Sequence, residues 1–113
     1  MLQRKTVVDQ IEITSGGFVQ LRFAKLVVDG DKVVSKGYHR ATVAPGDDFD
    51  ALLKVVNAGL RHLGESEVEE NPCQFSELGN GDVRDAIKRT HTSLVVSRFK
   101  ESVAKEKARQ GAR

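Results

Sequence analysis

The stretch Gly16–Asp48, GGFVQLRFAKLVVDGDKVVSKGYHRATVAPGDD, decides the fold. Phe18 to Val28 is rich in Val, Leu and Phe, residues that suit a pleated, half-buried surface. Asp29-Gly30 is a hairpin signal, because Gly accepts the positive φ that tight two-residue turns need. Val33 to Val43 reads as the returning strand. Pro45-Gly46-Asp47-Asp48 then stops the sheet and starts a helix. Pro removes a ladder donor, and an Asp side chain accepts from the free N–H groups of a first helical turn.

Upstream, Thr6 to Thr14 alternates imperfectly. Val7, Ile11 and Ile13 share one parity and Gln10 and Glu12 the other, which predicts a half-buried strand. Asp9 falls on the apolar parity, so the strand is expected to begin outside the core. Ser15-Gly16-Gly17 is short enough to make its pairing with the next strand antiparallel. Val19, Leu21 and Phe23 share a face in the second strand, and then Leu26, Val27 and Val28 run consecutively. A bulge or burial on both faces accounts for such a run. In the third strand Val33, His39, Ala41 and Val43 oppose Tyr38, Arg40 and Thr42.

Downstream the period changes. Phe49, Leu52, Leu53, Val56, Leu60 and Leu63 follow spacings of three and four, an amphipathic helix capped by Asp47 or Asp48 and ended by Gly64. Glu65 to Gly81 is an irregular acidic stretch, expected as a surface loop. Helix signals resume at Asp82, with Val83, Ala86, Ile87 and Thr90 on one face. His91-Thr92-Ser93 offers a second cap, so one kinked helix or two helices fit. Leu94, Val95, Val96, Phe99 and Val103 form a new stripe. The expected fold is α+β: a three-stranded antiparallel β-meander packed against two or three α-helices. It forms a single domain over residues 1–113, with the meander at 5–44, a helix at 47–64, the acidic loop at 65–81, a helical region at 82–104 and a fraying basic tail at 105–113.

Composition bounds the function. At 113 residues, 39% apolar and 30% charged, the chain has the makeup of one globular domain with a modest core. No apolar run approaches the roughly 20 residues that span a bilayer, and Met1 to Lys5 carry no apolar signal region. The single Cys73 cannot form an intrachain disulfide. Charge is segregated: residues 47–82 carry two Lys/Arg against nine Asp/Glu, and residues 83–113 carry nine against three. A basic end segment is a nucleic-acid signal, but the acidic middle can serve as its partner, and solvated charged faces are the commoner case.

Site chemistry is sparse. His39, His62 and His91 fall in three different elements, none with a second ligand three or four residues away. His62 suits a helix end, and His39 a hydrogen-bonded position on an apolar strand face. Asp47-Asp48 is explained by capping. Cys73 reads as a free thiol, and neither Gly16-Gly17 nor Gly79-Asn80-Gly81 is followed by the Lys-Ser or Lys-Thr of a phosphate loop. Phe18 and Tyr38 near Arg22 and Arg40 could stack bases, but the sheet motifs of RNA binders are absent. No cofactor, metal or catalytic residue is expected.

Several segments resemble a group of small tailed-bacteriophage proteins encoded among virion and tail genes. They are Gln10-Ile11-Glu12-Ile13, Gly17 to Arg22, Val28-Asp29-Gly30, Tyr38-His39-Arg40, Pro45 to Asp48, and Val83-Arg84 through Thr90-His91-Thr92. In that group the Pro-Gly-Asp-Asp stretch passes almost directly into the His-Thr stretch, whereas here Phe49 to Asp82 adds a helix and an acidic loop. The resemblance implies a virion structural role and nothing finer; the expected protein is a non-enzymatic structural subunit in or near the tail, made in the host bacterial cytoplasm. Its expected partners are copies of itself and other virion proteins, with neither nucleic acid nor membrane among them. The runner-up is a small nucleic-acid-binding or regulatory phage protein using its basic C-terminal region. The apolar surplus of the last helix, with the charges beyond it, places the expected partner interface at Val95, Val96, Phe99, Val103, Lys105, Lys107 and Arg109.

Overall fold

The computed structural model describes residues 2–111. Strands β1 (Leu2–Ile13), β2 (Val19–Asp29) and β3 (Lys32–Val43) form one antiparallel sheet in sequential order. Helices α1 (Phe49–His62), α2 (Asn80–Thr90) and α3 (Ser93–Gly111) follow. The α+β meander expected from the sequence is the observed architecture. Thr92 marks a break between two helices, and the basic tail continues α3 through Gly111.

The turns show how local chemistry sets register. Asp29 pairs with Lys32, so the hairpin loop is Gly30-Asp31, one residue later than Asp29-Gly30. Gly30 has φ +63° and Asp31 keeps a negative φ, the pattern of turns that take glycine at the first central position. At the other turn, Thr14 N–H donates to the Phe18 carbonyl at 2.9 Å and Thr14 Oγ1 accepts from Phe18 N–H at 3.2 Å. In α1, Asp48 caps by accepting from Asp50 N–H at 2.9 Å. Gly64, at φ +79°, closes a Schellman pair in which Gly64 N–H reaches the Arg61 carbonyl and Glu65 N–H the Leu60 carbonyl.

One bulge explains the broken alternation of β1, and a second lies in β3. Val8 pairs with Phe23 and Gln10 with Arg22, leaving Asp9 as the extra residue. The strand therefore does not begin outside the core at Asp9. It runs on to Leu2, and the bulge sends Val7 and Ile11 to opposite faces although both sit on odd positions. Asp9 turns its carboxylate to Arg22 Nε at 2.6 Å. The second register shift leaves Val34 of β3 as the extra residue, and the run Leu26-Val27-Val28 keeps its alternation, with Leu26 and Val28 buried on one face and Val27 half-buried on the other.

Both faces of the sheet are covered near its middle. On one face Val8, Val19, Leu21, Phe23 and Val43 pack beneath Phe49, Val56 and Leu60 of α1, with Val68 and Val83. On the other, Val7, Ala24, Leu26 and Val28 are closed over by Cys73 and Phe75 from the acidic loop. At about 1.5–3 kcal/mol for each fully buried aliphatic or Phe side chain, these two layers dominate the stability.

The acidic loop wraps the outer edge of β1 instead of standing off the surface. Ser66 Oγ donates to the Arg4 carbonyl, Glu69 N–H to the Thr6 carbonyl at 2.8 Å, and Ser76 Oγ to the Val8 carbonyl. Val68, buried, bridges to Thr6 in parallel fashion. Ion pairs Arg4–Glu65 (3.0 Å) and Lys5–Glu69 (3.8 Å) lie outside this seam. Exposed pairs contribute about 0–1 kcal/mol each, so the backbone bonds and Val68 hold the loop. One edge of the meander is thereby closed, and among the described residues β3 is left as the open one.

Candidate functional site

The interface residues expected from the sequence all lie on α3, and the structure divides them. The first turns of α3 are seated on two glycine turns. A Cβ built on Gly17, at φ +86°, would fall 2.5 Å from Val95 Cγ1, and one on Gly46, at φ +91°, would fall 3.4 Å from Val96 Cγ1. Only glycine combines that backbone with that approach at position 17. His91, which caps the end of α2, donates from Nε2 to the Gly17 carbonyl at 2.8 Å, fixing the α2–α3 corner against the same turn. Phe99 meets Phe18 edge to face with ring centroids 5.3 Å apart. Val95, Val96 and Phe99 are therefore half-buried within their own chain.

Beyond Phe99 the helix leaves the body. Residues 100–108 are all exposed, and the whole molecule measures 59 × 30 × 19 Å. Val103 is 39% exposed, and Lys105 and Lys107 are open to solvent. Arg109 belongs to the last turns of α3, and its side chain lies outside the described residues. A shallow cavity of about 240 Å³ remains between the Ser15–Phe18 turn and α3, beside Phe99 and Ser102. Val96, Phe99 and Val103 follow spacings of three and four, so one apolar stripe begins under cover and continues onto bare helix.

The electrostatics separate the acidic middle from this helix. Arg84 of α2 carries the main long-range cluster, pairing with Asp50 at 2.9 Å and with Glu70. Glu70 also accepts from Asn80 Nδ2 at 2.9 Å. The Arg84 hydrogen bond, then that of Asn80, holds the Glu70 carboxyl below its ordinary pKa, and Glu70 and Asp50 push that of Arg84 up. No ion pair joins Lys100, Lys105 or Lys107 to residues 47–82 among the described residues. The acidic middle thus partners β1 and Arg84, which opens the basic segment 83–113, and not the lysines of α3.

Gly17, His91 and Arg84 escape a sequence reading. Gly17 and His91 lie 74 residues apart, and Arg84 lies 34 residues from Asp50, so no local spacing signals such pairs. Of the other candidates, His39 stacks on Phe23 with centroids 6.2 Å apart, and His62 is exposed in the last turn of α1. No group of three or more metal-ligating side chains occurs among the described residues, and no described helix is long and apolar enough to cross a membrane. No family model, curated protein or solved structure matches the chain.

Proposed function

We propose that the chain is a multi-copy structural subunit of a tailed-bacteriophage particle, in or near the tail, that works by binding copies of itself and neighbouring virion proteins. The observation that carries this reading is the apolar stripe of α3. It is anchored at Val95, Val96 and Phe99 and continues through Val103 onto exposed helix. An isolated amphipathic helix end is marginal in water and is stabilised when a partner covers its stripe. Lys105, Lys107 and Arg109 flank it and supply charge-based selectivity. The virion setting rests on the short segments shared with the phage group.

The lysines of α3 also favour a second reading, nucleic-acid binding, because no ion pair joins them to the acidic loop among the described residues. Sedimentation equilibrium of the full chain tests the assembly reading. Self-association is expected, and Val103→Asp should reduce it while circular dichroism stays unchanged. A wild-type chain that is monomeric at every concentration, with Val103→Asp indistinguishable from it, would contradict the proposal.

A further inference from the structure

We infer that the outer edge of β3 and the groove between β3 and α1 form a docking site for an extended segment of alternating apolar and acidic residues, received as a fourth strand. The inference rests on this surface alone and is independent of what α3 binds. The edge comes first. β3 pairs with β2 from Lys32 to Val43, and no strand or bridge occupies its other side among the described residues. Unpaired N–H and C=O groups along such a strand are a template for another chain.

The two sides of that edge differ chemically. Toward α1 lies a groove of about 460 Å³, its α1 wall made by Leu52, Val55, Val56 and Leu63 and its sheet side by Ala41, with Lys25 and Arg40 also on the lining. Val55 is 70% exposed and Leu63 68% exposed, so the apolar wall is uncovered. Gly59 lowers the helix side of the groove, since a Cβ there would meet nothing within 4 Å. On the opposite face stand Lys36, Tyr38 and Arg40. Lys36 Nζ lies 5.6 Å from the Tyr38 ring centroid and the Arg22 guanidinium 4.5 Å. Arg40 is directly across from Arg22, a like-charge pair. Asp9 neutralises Arg22, but no carboxylate pairs with Lys36 or Arg40 among the described residues.

Side chains of an added strand alternate between the two faces. One set would enter the apolar groove, and the other would meet Lys36 and Arg40. Apolar residues alternating with Asp or Glu satisfy both. A second copy's β3 does not, because it would bring its own Lys36 and Arg40 to the same cations. The chain's own acidic segment, Glu65 to Glu70, is committed to the opposite edge of the sheet.

The test uses the full chain and two synthetic eight-residue peptides, one alternating Val and Glu and one alternating Val and Lys. Calorimetry should detect binding of the Val-Glu peptide and none of the Val-Lys peptide. Amide hydrogen exchange should slow at alternate positions of β3 when the first is bound. The exposed double variant Lys36→Glu/Arg40→Glu should lose at least about tenfold in affinity for the Val-Glu peptide while keeping its circular dichroism. No binding of the Val-Glu peptide, equal affinity for both peptides, protection on α3 instead of β3, or a β3 edge already protected by a second copy would each overturn the inference.

Discussion

Phe18 and Phe99 meet edge to face, with centroids 5.3 Å apart and ring planes at 88°. This pair ties the start of β2 to α3, just before the exposed run of residues 100–108. Edge-to-face pairs contribute about 0.5–1.5 kcal/mol beyond their buried area. A double-mutant cycle with Phe18→Leu and Phe99→Leu, followed by urea unfolding, should return a coupling energy in that range. Phe99→Asp should undock α3 and abolish incorporation into particles while the β-sheet signal in circular dichroism persists. Additive single-mutant effects would mean that the ring contact is incidental.

The glycine turns should differ in cost. Gly30→Val places a β-branched residue at φ +63° with open space around it, so its penalty is backbone strain alone and should exceed roughly 1 kcal/mol. Gly17→Ala adds a steric collision with Val95 to φ +86° and should cost more. Melting temperatures rank the two. An unchanged melting temperature for Gly30→Val would refute a tight turn, and a milder effect at Gly17 than at Gly30 would refute the seating of α3.

Acid should weaken the loop. Arg84 lowers the Glu70 pKa in the folded chain, so Glu70 binds its proton more readily when unfolded. Its stabilising contribution is fully present above the unfolded value, near 4.5, and is lost as pH falls through the lower folded value. Glu70 is half-exposed, which keeps the effect below about 1 kcal/mol. Glu70→Gln should therefore lower stability slightly at pH 7 and flatten the acid limb of the stability curve. An acid limb identical to that of the wild type would remove Glu70 from the account.

Nucleic acid is the partner that the assembly reading rejects. Binding of the full chain to single-stranded or duplex DNA should be weak at physiological salt. Sub-micromolar binding that falls steeply with salt, as phosphate contacts require, would promote the alternative.

The meander was legible because its signals are local. The Val-rich strands, Gly30 and the Asp48 cap each act within a few residues. Bulges blur that reading differently according to sequence. The run Leu26-Val27-Val28 reflects burial on both faces and does not mark the bulge at Val34 of β3, and a charged Asp9 on an apolar parity looks like a strand outside the core. The loop at Glu65 to Gly81 reads as surface because it is acidic, yet Val68 and Phe75, the apolar residues it spends, fix it across β1. On α3, the stripe itself was visible in the spacing, but its division at Phe99 depends on Phe18, Gly17 and Gly46, which the chain brings from far away.

Quantitative mass spectrometry of purified particles, with lysine cross-linking, tests the central claim most directly. The account predicts the chain in multiple copies per particle, with cross-links from Lys105 or Lys107 to another copy or to a neighbouring virion protein. Its absence from purified particles, or its presence with intrachain cross-links alone, would contradict the account.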